Sequence, residues 1–438
     1  MLEIAVSLTI FLLIGFVIGL HVAVVLGMAA LVVGLVFIGP IWGFFGHVSW
    51  ASHSTLTIIV VPLYIMMGEI LLRSGMTDDL YETFSKMLSR LPGGLMHTNI
   101  FASGVFAAVS GSSVATTSTI GSVAMPAMRK HGYSEKISLG SIASGGTLGV
   151  LIPPSIIMIV YGLVAEVSIG QLYIAAIVPG LIMLASFLGV VAVFSFASPH
   201  RVRNSGGEVS VKGLVTGILK ILPIVGLIGV VLGSIYTGVA TSVEAAAYGV
   251  TGAFLIACFK RRVSLRMLSE TFVSTAVTSC MVILIVVAAF LLQFVLSFVG
   301  IPAAISAWVA ELGLTQLQLI ILLCVVFILL GTVMDGLAIV VSTLPIFLPV
   351  LVAADVDLVW FGIIVVILVE LALITPPVGM NLFVLQGVRQ RLAGDGPVGP
   401  ITDVVLGVMP FLMAMLAVLA IIIAFPDIAL SLVGSHIK

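Results

Sequence analysis

The stretch from Ser110 to Ser155 limits this chain more than any other. It reads SGSSVATTSTIGSVAMP, then a basic turn RKHGYSEK, then SGGTLGVLIPPS. Its flanks are apolar enough for a membrane interior, yet it is broken twice by small, hydroxylated and helix-breaking residues. In hydrocarbon each unpaired amide or carbonyl costs several kcal/mol, so irregular backbone at that depth persists only inside protein or along a watery cavity. Cavities of that kind bind ions and substrates.

The composition places the chain in a bilayer. Of 438 residues, 61% are hydrophobic and 8% are charged, and the mean hydropathy is +1.36. Soluble domains carry about 25% charged residues. Apolar segments run about 17–25 residues, the length of membrane-spanning helices, and the ten-residue alternation of barrel strands is missing. The expected class is an all-α polytopic membrane protein, for which the bilayer itself is a partner. A net charge of −1 gives no reason to expect nucleic acid. Cys258, Cys280 and Cys324 lie in apolar segments without a CxxC pair and read as small buried hydrophobes. MLEIAVSLTIFLLIGFVIGL lacks a basic n-region and a cleavage site, so it reads as a retained first span.

Taken in order, spans are expected near 2–20, 22–40 and 55–73, followed by an amphipathic piece at 73–94. Two short helices, 97–109 and 114–129, joined by Ser110-Gly111-Ser112-Ser113, suggest a re-entrant hairpin. A broken span follows at 135–149 and 155–165, then a long helix at 171–198. A polar linker, His200 to Lys212, divides the halves. The second half reads as spans 214–234 and 239–258, a surface segment 263–276 and a span 279–299. A second short pair (315–333, 337–352), a second broken span (358–374, 378–388) and a last span (404–425) complete it. The units are then 1–96, 97–166, 167–314, 315–388 and 389–438.

With both hairpins returning to their own side, sixteen of the seventeen basic residues fall on one face, and Lys438 alone lies opposite. The facing loops 40–54, 166–170, 235–238, 300–316 and 353–357 hold none. The positive-inside rule makes the basic face cytoplasmic and puts both termini outside. Trp42, Trp50, Trp308 and Trp360 then read as belt residues of the other interface, and His97, His131 and His200 as interfacial.

A shift of 223 positions superimposes the two interrupted regions without a gap. Pro126 falls on Pro349, Pro153 and Pro154 on Pro376 and Pro377, Ala115 on Ala338, Leu148 on Leu371, and the tip Ser112-Ser113 on Asp335-Gly336. In the topology above the two copies enter from opposite faces. Inverted repeats with broken helices mark secondary transporters, whose site lies where the breaks meet. Prolines remove amide donors and leave upstream carbonyls free. Those carbonyls and Ser/Thr hydroxyls suit a hard cation such as Na⁺, and half-helix N-termini suit a substrate carboxylate. No ATP-binding loop and no cluster for a redox or metal cofactor is present in the sequence.

SGSSVATTSTIGSVAMPAM, GGTLGVLIPPSIIMIVYG, Thr241-Ser242-Val243-Glu244-Ala245-Ala246-Ala247 and ELALITPPVGMNLFV together resemble the large membrane subunit of tripartite ATP-independent periplasmic (TRAP) transporters. The resemblance spans essentially the whole chain. It implies Na⁺-coupled import of small organic acids by an elevator movement of a transport domain against a scaffold. It also implies two partners, a separate small four-helix membrane subunit and a periplasmic substrate-binding protein. Carried onto this sequence, one sodium site involves Ser110, Ser112, Ser113, Gly149, Ile152 and Pro154. The second involves Val333, Asp335, Ala372, Thr375 and Pro377. Substrate contacts fall to Ser113, Thr116, Thr147, Gly336, Gly379 and Asn381. The family commonly has glycine where this chain has Ala372. An alternative function is a single-component Na⁺/carboxylate symporter. An intramembrane hydrolase is disfavoured because the serines sit at a tip and the histidines at helix edges, so no base reaches a nucleophile.

Three acids stay open at the level of sequence. Asp335 reads as a sodium ligand, a hairpin-tip cap or a charge reaching water in the cavity. Glu370 reads as a functional intramembrane acid or a hydrogen-bonded structural one. Glu244 reads as a helix N-terminal charge. The amphipathic pieces 76–90 and 263–276 read as surface helices that brace a moving domain or simply anchor at the interface.

Overall fold

The computed structural model describes residues 2–88, 91–197, 211–332, 334–376, 378–394 and 396–433. Most of the polar linker, with His200, lies outside them, as do Arg90, Val333, Pro377 and Lys438. Among the described residues all regular structure is helical, and eight helices are long and apolar enough to cross a membrane.

The repeat seen in the sequence is a repeat of geometry. Helices Ser113–Lys130 and Gly336–Ala353 are 18 residues each, and Glu135–Leu151 and Leu358–Ile374 are 17 each, with both ends of each pair 223 positions apart. Ile152 and Thr375, one residue past the second pair, adopt the same extended backbone (φ −89°, ψ 119° and φ −89°, ψ 125°). The cause is local: Pro153 and Pro376 push the preceding residue out of the α region. The helices then restart as Ile156–Ala165 and Met380–Ala393.

The two copies interlock. Ser113–Lys130 of the first hairpin packs on Met380–Ala393 of the second broken helix, and Gly336–Ala353 of the second hairpin packs on Ile156–Ala165 of the first. The long halves Glu135–Leu151 and Leu358–Ile374 pack on each other at the centre. Every residue of Leu358–Ile374 from Val359 onward is buried, so this helix has no lipid-facing stripe. Such all-round apolarity is what a helix enclosed by protein requires. Glycine allows the closest crossing: a Cβ at Gly407 of Thr402–Ala424 would strike the Lys136 carbonyl, and one at Gly140 would strike Gly407.

At one end the buried Arg389 ties three elements together. Its Nε and Nη2 donate to Glu135 Oε1 and Oε2 at 3.0 and 2.9 Å, and it also reaches the Pro400 carbonyl at 3.3 Å and Asp403 at 3.5 Å. The surface helix Met76–Leu88 connects the interlocked repeats to the remaining helices. Tyr81 donates to Asn99 Oδ1 (2.9 Å), whose Nδ2 donates to Ser141 (2.9 Å), while Asp79 pairs with Lys260 and Lys220.

The structure departs from several of the sequence expectations. The expected surface segment 263–276 is the first part of one continuous helix, Leu265–Val299, 35 residues long. No proline or glycine interrupts it, so nothing stops the helix between its two halves. The presumed loops 40–54 and 300–316 contain helices Trp42–His53 and Ile301–Glu311. Trp360 is no belt residue: it is buried and donates its indole N–H to the Ile422 carbonyl at 3.0 Å. His97 is buried rather than interfacial, with Nε2 3.0 Å from the Pro92 carbonyl. Cys258 and Cys280 are exposed, and only Cys324 is buried. Glu244 does close a capping box with Thr241.

Candidate transport site

The first tip is built by capping. Gly111 ends helix Gly94–Ser110 in the left-handed region (φ 58°), a conformation that favours glycine. Ser112 is extended, and its Oγ accepts the Ala115 amide at 3.4 Å. Thr116 Oγ1 donates to the Ser112 carbonyl and lies 2.8 Å from Ser110 Oγ. The tip sits directly on the first break. A Cβ at Gly149 would lie 2.8 Å from the Ser112 carbonyl oxygen and 2.9 Å from Ser113 N, and one at Gly111 would lie 2.8 Å from the Pro154 carbonyl oxygen. Because residues 153 and 154 are prolines, the carbonyls of Gly149 and Val150 have no helical donor. Ser110, Ser112, Ser113, Gly149 and Pro154 are thus brought together, with Ile152 in the break itself.

The second tip repeats this with an acid in place of a serine. Asp335 Oδ1 accepts the Ala338 amide at 3.0 Å and caps Gly336–Ala353. Gly331, ending the preceding helix, faces Ala372, and a Cβ there would collide with the Ala372 methyl. The Ala372 methyl therefore has its space supplied by a glycine across the contact. Thr375 turns back on its own helix, its hydroxyl donating to the Leu371 carbonyl (2.5 Å) and its amide to that of Ala372 (3.3 Å). Val333 and Pro377 lie outside the described residues.

Both tips line one cavity of about 410 Å³, with Gly111, Ser112 and Ser113 from the first and Asp335 and Gly336 from the second. Two of the three readings of Asp335 hold together: it caps the tip and lines the cavity. Of the other expected substrate contacts, Thr116 belongs to the first tip. Thr147 is buried against the Ser144 carbonyl, and Gly379 (φ 36°) starts Met380–Ala393. Asn381 is fully buried, and neither of its amide atoms has a partner among the described residues. None of these four lines the cavity. A larger cavity of about 580 Å³, between Thr55, Glu166 and Thr241, contains no tip or break residue.

One connection escaped sequence reasoning. Ser113 Oγ donates to Glu370 Oε1 at 2.5 Å, across 257 positions of sequence and from one repeat to the other. Glu370 is 1% exposed and its second oxygen has no partner among the described residues. The acid was visible as an intramembrane charge, but only tertiary structure joins it to the first tip.

This arrangement of crossed hairpins and broken helices is that of a membrane transporter. The chain is similar in fold to the YdaH transporter of Alcanivorax borkumensis, with a TM-score of 0.67 over 96% of this chain and 99% of that one at 15% identity. It belongs to the DctM component family of tripartite ATP-independent periplasmic transporters, whose sequence model matches residues 6–428. The C4-dicarboxylate TRAP transporter large permease DctM of Rhodobacter capsulatus is 34% identical over 394 residues, 86% of each chain. The isethionate TRAP transporter permease DctMQ of Oleidesulfovibrio alaskensis is 34% identical over 95% of this chain and 64% of that longer one. The chain is a transporter permease, not an enzyme.

Proposed function

We propose that this chain imports small organic acid anions across the bacterial inner membrane, driven by Na⁺. It does so together with a separate small four-helix membrane subunit and a periplasmic substrate-binding protein. The interlocked repeats move as one transport block in an elevator cycle, and the helices around Leu265–Val299 stay fixed. The hairpins are re-entrant, the basic loops are cytoplasmic and both termini are periplasmic. One observation carries the reading: two capped tips, each seated on a proline break, face a single cavity.

The chemistry follows from that placement. Proline-freed carbonyls and tip hydroxyls offer oxygen ligands for Na⁺ without a bare buried charge. The N-termini of Ser113–Lys130 and Gly336–Ala353 offer partial positive charge to an anion. Three of the four hairpin helices, Gly94–Ser110, Ser113–Lys130 and Gln316–Gly331, fall short of the length or apolarity of a full crossing, which supports re-entry. The two relatives above are named for a C4-dicarboxylate and for isethionate, which share an anionic head group.

Asp335→Asn tests the ion reading cleanly. Asparagine caps a helix as well as aspartate does, so the tip keeps its shape while its charge is lost. The half-saturating Na⁺ concentration for uptake is expected to rise about tenfold or more, the size of a charge-assisted contact. An unchanged Na⁺ titration would remove Asp335 from the ion site.

A further inference from the structure

We propose that His21 is the residue through which the fixed helices recognise the anionic head group of the substrate. The inference rests on the organic-acid reading above and adds a specific contact to it. His21 lies in the turn between helices Leu2–Val17 and Val22–Phe37, outside both repeats. With Leu20, Val22, Met281 and Ile285 it lines the cavity from the side contributed by helices outside the repeats, where the two hairpin tips contribute Gly111–Ser113 and Asp335–Gly336.

The cavity is otherwise apolar or hydroxylated. Among its described lining residues only His21 and Asp335 are ionisable, one a base and the other an acid. Asp335 is already engaged in its tip, with Oδ1 on the Ala338 amide. His21 occupies the N-cap position of Val22–Phe37 with extended backbone (φ −61°, ψ 136°), but its ring makes no capping bond, and no other hydrogen bond or ion pair of the ring is found among the described residues. An exposed imidazole that faces a cavity and has no partner among the described residues leaves its N–H for a guest.

Anion chemistry calls for such a group. Taking a carboxylate or sulfonate into an apolar cavity costs several kcal/mol unless donors replace its water. The amides at the tip N-termini supply partial charge. An imidazole adds a directed N–H in either of its protonation states, and a full positive charge in one of them. The cavity is therefore polarised, with Asp335 on the ion-binding tip and His21 facing the anion. Because His21 sits on the fixed helices, this contact selects substrate without entering the sodium sites.

The test uses the complete complex, with small subunit and binding protein, in proteoliposomes loaded with Na⁺ gradients, and follows uptake of succinate and of isethionate. For whichever anion the wild type carries, His21→Leu and His21→Ala are expected to raise KM about tenfold, the worth of a hydrogen bond to a charged group. The maximal rate and the half-saturating Na⁺ concentration stay at wild-type levels. His21→Gln, which keeps an N–H donor, is expected to restore most of the affinity. A KM in both apolar variants within about twofold of wild type overturns the inference. So does an equal rise in the half-saturating Na⁺ concentration, which a general distortion of the cavity would produce. A wild-type complex that carries no organic acid anion overturns the organic-acid reading itself, a result separable from any behaviour of the variants.

Discussion

Gly331→Ala is expected to lower uptake by about tenfold or more, and Ala372→Gly in the same chain is expected to restore it. A methyl at Gly331 would occupy the place of the Ala372 methyl, with the Ala372 Cα 3.4 Å away. Overpacking of this kind costs about 1–3 kcal/mol and moves backbone, here at the point where the second tip meets its break. Ala372→Gly alone removes the collision partner and costs only about 1 kcal/mol of helix propensity. The two changes should therefore couple strongly in a double-mutant cycle read by thermal midpoint and by uptake. At the repeat-related positions the small residue is on the other side of the contact, with Ala108 on the hairpin and Gly149 on the break. There the atoms facing Gly149 are backbone of Ser112 and Ser113, so no single side-chain change should rescue Gly149→Ala. Additive effects of Gly331→Ala and Ala372→Gly would contradict the contact.

Glu370→Leu is expected to separate stability from transport. The carboxyl is buried among apolar neighbours with one hydroxyl partner and one unpartnered oxygen. Replacing it by a hydrocarbon of similar size removes a costly buried polar group, so the thermal midpoint is expected to hold or rise. Ser113 then loses the acceptor that positions the first tip, and uptake is expected to fall at least about tenfold. Glu370→Gln keeps an oxygen acceptor for the Ser113 hydroxyl and should retain most transport. Equal transport in the leucine and glutamine variants would reduce Glu370 to a bystander. A stabilised but inactive protein is the signature of a polar group kept for function.

The repeat was legible because proline acts locally. Pro153-Pro154 and Pro376-Pro377 dictate the breaks wherever the chain goes, and the 223-residue offset then relates the second hairpin helices and the long halves, Ser113–Lys130 to Gly336–Ala353 and Glu135–Leu151 to Leu358–Ile374. The tips were legible for the same reason, since Ser112 and Asp335 are cap residues followed by helix. What the sequence could not show was crossing between repeats. The Ser113–Glu370 hydrogen bond and the engagement of Arg389 with Glu135 join the two halves of the chain, and the Gly331–Ala372 complement joins a hairpin to the break of its own repeat. Periodicity also misled where surfaces were concerned. Trp360 looked like an interfacial aromatic because it starts a span, yet that span is enclosed by protein on all sides. The segment 263–276 looked like a surface helix because it is amphipathic, yet it continues unbroken into the next span.

The central claim is Na⁺-coupled uptake that depends on the partner proteins, and one measurement addresses it most directly. The chain is reconstituted with its small subunit in proteoliposomes, and uptake of succinate and isethionate is followed with and without an inward Na⁺ gradient and the cognate binding protein. The account predicts uptake of one of these anions only when gradient and binding protein are both present. Uptake that proceeds at full rate without Na⁺, or that this chain alone sustains without its partners, would contradict it.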